Sequence, residues 1–72
     1  MARFLDPVGV AALLDLPVTL VRSAVECGWV PAFRIDGAWR IEVVDAAFLR
    51  WQLDQYARAR SAGGVARVDR RA

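Results

Sequence analysis

Two prolines ten residues apart, Pro7 and Pro17, constrain this 72-residue chain more than any other feature. Proline suits the first turn of a helix, where a missing N–H loses no partner, and it is poorly tolerated further in. Asp6-Pro7 ahead of Val8, Val10, Ala11, Leu13 and Leu14 therefore predicts a helix that Asp6 caps and that stops near Asp15. Pro17 opens a second helix, which carries Thr19, Val21, Arg22 and Val25 to Cys27 and stops at Gly28. The link between them is about three residues, and two short helices joined so tightly must cross steeply, as in a helix-turn-helix.

Beyond Trp29 the apolar period shortens to that of a strand. Phe33 and Ile35, then Trp39 and Ile41, alternate with Arg34 and Arg40 around Asp36-Gly37, which predicts a two-stranded hairpin with a tight turn. Arg34 and Arg40 are expected to share the face opposite Phe33, Ile35, Trp39 and Ile41. From Val43 the helical period returns for about 19 residues, ending by Gly63-Gly64. This third helix carries two neighbouring apolar stripes, Val44, Phe48, Trp51 and Leu49, Leu53, Tyr56. A thin domain has room for one, so Leu49, Leu53 and Tyr56 are expected to form an oligomer interface. Trp29, Trp39, Phe4, Phe33 and Phe48 are assigned to the core, since a small domain needs large aromatic areas to hold its elements together. Arg50, Asp54 and Arg58, spaced by four, read as solvated surface pairs, and Arg58 and Arg60 suit the negative end of the helix dipole. Residues 65–72, VARVDRRA, show no apolar period. The organisation expected is one domain over 1–62 and a flexible basic tail over 63–72.

Composition bounds the chemistry. The chain has ten Arg but neither Lys nor His, and a single Cys. It lacks the usual neutral-pH acid/base, the Schiff-base amine and the commonest metal ligand. Catalysis is disfavoured, and no cofactor and no metal site are expected; the chain reads as a binding module rather than an enzyme. Cys27 cannot form an internal disulfide and is read as core filling, which suits a reducing cytoplasm. With no apolar run of signal-peptide or membrane-span length, the chain is expected to be soluble and intracellular, away from membranes. Residues 1–57 hold five Arg against seven acids, net −2, whereas 58–72 hold five Arg against Asp69, net +4. Phosphate attraction must therefore come from a few placed arginines and from Arg67, Arg70 and Arg71 in the tail, which are available to DNA or to a partner protein.

On a helix starting at Pro17, positions 18, 19, 22, 23 and 26 share one face, and Val21, Ala24 and Val25 the other, buried one. Thr19 and Ser23 suit phosphates or base edges, Arg22 a guanine, Val18 a thymine methyl and Glu26 a cytosine amine.

The stretch Leu5 to Ile41, LDPVGVAALLDLPVTLVRSAVECGWVPAFRIDGAWRI, covers just over half the chain. Its telling parts are Val10-Ala11-x-Leu13-Leu14, Val21 with Val25, Gly28-x-Val30-Pro31-Ala32, and Phe33-Arg34-Ile35-x-Gly37-x-Trp39-Arg40-Ile41. Together they resemble the excisionase family of MerR-like winged helix-turn-helix proteins. The resemblance implies a mainly α fold of three helices with a small β-hairpin. It places the second helix in the DNA major groove and the wing, through Arg34 and Arg40, on an adjacent minor groove or backbone. It further implies a recombination directionality factor, which coats or bends attachment-site DNA and steers an integrase toward excision. The partners implied are double-stranded DNA, an integrase or other recombinase, and further copies of the chain bound cooperatively. The chain departs from the family at Pro17, where a Ser-rich cap is usual, and at Arg22-Ser23, where Tyr-Arg is usual. Glu26 stands at an often basic position, and Asp36 and Ala38 at the wing tip replace the common Gly and Arg. A small MerR-like transcriptional regulator would use the same residues. A reading of another class is a protein-interaction module that uses the third helix and has little DNA affinity.

Overall fold

The computed structural model describes residues 3–63, and the first of these form a strand too short to announce itself by period: β1 (Arg3–Leu5). Asp6 follows, and its carboxylate accepts the Gly9 N–H at 2.8 Å, capping α1 (Pro7–Leu14) with Pro7 in the first turn. Asp15 leaves that helix in the left-handed region, at φ 58°, and the Leu16 N–H closes the end on the Ala11 carbonyl at 2.9 Å. Asp is among the few residues that tolerate this conformation. Three residues after α1 ends, α2 (Val18–Glu26) begins; Pro17 is its N-cap and supplies no side-chain hydrogen bond. Gly28, at φ 85°, ends it, and the Trp29 N–H returns to the Ala24 carbonyl at 2.9 Å. Both helix ends and the short link stand where the prolines, Asp6 and Gly28 imply.

The hairpin consists of β2 (Phe33–Ile35) and β3 (Ala38–Val43), joined by Asp36 and Gly37 at φ 52° and 79°. Positive φ at both central residues is the two-residue turn whose twist matches the strands. β1 pairs antiparallel with the other edge of β3, giving a three-stranded sheet ordered β1-β3-β2 instead of the expected two-stranded hairpin. Because β3 runs on to Val43, α3 (Ala46–Ser61) starts later than the periodicity suggests and spans 16 residues; the Asp45 carboxylate caps it by accepting the Phe48 N–H at 3.1 Å.

The register corrects the assignment of hairpin faces. Phe33 lies opposite Arg40, Arg34 opposite Trp39 and Ile35 opposite Ala38. Directly opposed residues share a face. Arg34 therefore goes with Trp39 and Ile41, and Arg40 with Phe33 and Ile35: the two arginines lie on opposite faces. The inner face, with Leu5, Ile41 and Val43, packs on the helices; Val10, Val21, Ile41 and Leu53 are almost completely enclosed.

Two further assignments change. Leu49, Leu53 and Tyr56 are buried within the chain, and it is Val44, Phe48 and Trp51 that face outward. The core takes whichever stripe faces α2 and the sheet, and that is the former. Phe4, Phe33 and Phe48 are each about half exposed, whereas Trp29 and Trp39 do pack against the core. The Trp29 indole N–H donates to the Gln52 carbonyl at 3.1 Å, and its ring meets Tyr56 at 5.4 Å between centroids. Cys27 is half-buried against the core cluster. The fold is thus a mixed one of three helices and a small three-stranded antiparallel sheet. No helix among the described residues is long and apolar enough to cross a membrane.

Candidate nucleic-acid interface

α2 turns Val21, Ala24 and Val25 into the core, as the 100° step per residue requires, and so presents its opposite side outward. Thr19, Arg22 and Glu26 are exposed there. The other two positions assigned to that face are turned aside. Val18 is half-buried against the core cluster, because it neighbours Val25 around the helix. Ser23 is half-buried against α3: its hydroxyl lies 2.5 Å from the Tyr56 hydroxyl, and the Arg60 guanidinium donates to its Oγ at 3.4 Å. Both are thus less exposed than Thr19, Arg22 and Glu26.

The Ser23 arrangement brings in a cation that the sequence reading left in a generic role. Arg60 lies over the Tyr56 ring at 5.6 Å and reaches α2, so that its charge sits beside the same helix as Arg22. The signal was present: 49, 53, 56 and 60 form one continuous stripe of α3, and a stripe that packs on α2 delivers its last member there. Arg50, exposed on α3 as its spacing suggests, also donates to the Leu14 carbonyl at the end of α1. It thereby ties α3 to the α1–α2 link.

At the hairpin tip Arg34 donates to the Gly37 carbonyl at 3.0 Å and lies 4.9 Å from the centre of the Trp39 ring. A guanidinium has five N–H donors, so this seat holds the charge at the turn and leaves donors for a phosphate. Arg40 is half-buried on the other hairpin face, where it donates to its neighbour, the Trp39 carbonyl, at 3.3 Å. Arg67, Arg70 and Arg71 lie outside the described residues. The arrangement can present cations to a polyanion from a helix, from the helix behind it and from a hairpin tip. Among the described residues no group of three His, Cys, Asp or Glu side chains is placed to hold a metal ion. Comparison with protein-family models, with curated proteins and with solved structures finds no match for the chain.

Proposed function

We propose that the chain is a winged helix-turn-helix DNA-binding module, with α2 entering the major groove and the β2–β3 hairpin serving as the wing. The observation that carries this reading is the three-residue link that holds α2 against α1 with Thr19, Arg22 and Glu26 outward. A helix so presented has the length and exposure that a major groove admits. Arg22 reads base edges, Arg60 and Thr19 engage phosphate, and Arg34 contacts the backbone or an adjacent minor groove. The split of Arg34 and Arg40 between two faces makes Arg34 the cation of the wing tip. The sequence resemblance favours an excisionase-type role, in which the module coats or bends attachment-site DNA for an integrase; a small transcriptional regulator would use the same surface. A bacterial cytoplasmic or nucleoid setting goes with either role, and neither requires chemistry by the module itself.

The test is a titration of the full chain against labelled duplex, random in sequence and from its own genomic neighbourhood, at two salt concentrations. Arg22→Ala should lose about tenfold or more in affinity for the preferred sequence and lose the preference itself, since a bidentate arginine contact contributes ~1–3 kcal/mol of discrimination. Arg58→Ala, on the exposed face of α3, should change little. No binding at low salt would sink the reading.

A further inference from the structure

The outer face of the sheet and the first half of α3 leave a large apolar area in water. The register puts Phe4, Phe33, Ile35 and Ala38 on that face, together with Arg40 and Glu42. Phe4 and Phe33 meet at 5.8 Å between ring centroids. Phe33, Val44 and Phe48 then line an open groove of about 630 Å³ with Glu42 at its edge, and Phe48 stacks on Trp51 at 5.8 Å. The band is thus continuous from β1 across the sheet to α3. Its six large side chains are 45–67% exposed. At ~150–250 Å² per aromatic side chain they present about 600 Å², the upper end for a patch on a lone monomer and most of the ~800 Å² each partner gives to a standard interface. No residue lining the groove belongs to α2, and Arg34 projects from the opposite face of the hairpin, so neither α2 nor the wing-tip cation is part of the band.

We infer that this band is the interface between two copies of the chain, packed sheet to sheet about a two-fold axis that crosses the strands at Ile41. The charges select this occupant. Arg40 and Glu42 project from one face of β3, one residue either side of Ile41, so the axis sets Arg40 of each copy against Glu42 of the other. A partner bearing one sign of charge would leave one of the two unpaired. The apolar fit obeys the same axis. Positions 38 and 44 are equally far from 41, so Ala38 and its cross-strand neighbour Ile35 fall over Val44 of the other copy, on the β2 side of the sheet. The groove is on that side, walled by Pro31, Ala32 and Phe33, which lead into β2. Ile35, 47% exposed beside the hairpin turn, enters the groove of the other copy, and the contact repeats in reverse.

Sedimentation equilibrium of the full chain without DNA, from micromolar to millimolar concentration, tests this independently of the DNA reading. The samples are wild type, Arg40→Glu, Glu42→Arg, the double variant carrying both, an equimolar mixture of the two single variants, and Ile35→Ser. Wild type and double variant are expected to dimerise. Each single variant confronts two like-charge pairs and dimerises about thirtyfold more weakly. The mixture restores association, because an acidic surface then meets a basic one. Ile35→Ser, with its charges intact, weakens the dimer at least about tenfold. The double variant separates loss of the interface from damage to the fold. A wild type that stays monomeric overturns the proposal and leaves the band to a different protein or to residues 64–72. Single variants as dimeric as wild type, or a mixture no more associated than its components, overturn it equally.

Discussion

Arg50 couples the end of α1, and with it the α1–α2 link, to α3. A helix ends with carbonyls that have no intrahelical partner, and Leu14 is the last residue of α1. Arg50 donates to its carbonyl from α3, across the link that sets the angle between α1 and α2. Replacing Arg50 by Ala removes a charge-assisted bond and should cost about 1–2 kcal/mol in urea unfolding, against a few tenths for Arg58→Ala on the exposed side of the same helix. The four-residue spacing of Arg50, Asp54 and Arg58 describes their positions along α3 correctly and says nothing of α1. Ser23 teaches the same at the other end of α3, since its polarity and helical position are compatible with a groove contact and its partners Tyr56 and Arg60 lie on another element.

Among the elements, α3 is the most informative because its two apolar stripes are alike in composition and opposite in fate. Leu53 is fully enclosed and Trp51, two residues away, is 55% exposed. Leu53→Ala should therefore destabilise the dilute protein by about 2–5 kcal/mol, and Trp51→Ala by no more than about 0.5 kcal/mol, as read by thermal or urea unfolding. Equal effects would mean that the helix is rotated from the orientation described. The hairpin carries a comparable lesson. Alternation within each strand is read correctly from Phe33-Arg34-Ile35 and Trp39-Arg40-Ile41, but a two-residue turn pairs odd positions with even ones. Arg34 and Arg40, both even, must then part company. The parity follows from the Asp36-Gly37 turn, so this face assignment was within reach of the sequence once the turn was combined with the alternation. β1 was not within reach: three residues carry no period, and Arg3–Leu5 is a strand because β3 offers it an edge.

At the scale of the whole molecule, the net charge of +2 comes entirely from outside the described residues. Residues 3–63 hold seven Arg and seven Asp or Glu, a net charge of zero, so long-range attraction to DNA is weak and placement has to supply the affinity. If Arg22, Arg34 and Arg60 are the cations that meet phosphate or groove, the binding constant should fall with salt along a log–log slope of about −3. A slope twice as steep would bring the arginines beyond residue 63 into the contact. Dividing the chain at residue 57 groups Arg58 and Arg60 with the basic end, but both belong to α3, and Arg60 reaches α2.

What the sequence determined by itself are the events governed by neighbours a few positions apart: the Asp6 cap, the ends of α1 and α2, the three-residue link between them, the Asp36-Gly37 turn and the buried trio of α2. Each depends on a local backbone preference or on one helical period, and both can be read along the chain. Tertiary structure alone decided that β1 joins the sheet, that Leu49, Leu53 and Tyr56 rather than Val44, Phe48 and Trp51 are enclosed, and that Ser23 and Arg50 are committed across elements. Those outcomes depend on which surfaces meet, and residues 23 and 56, or 14 and 50, become neighbours only once the chain has closed on itself.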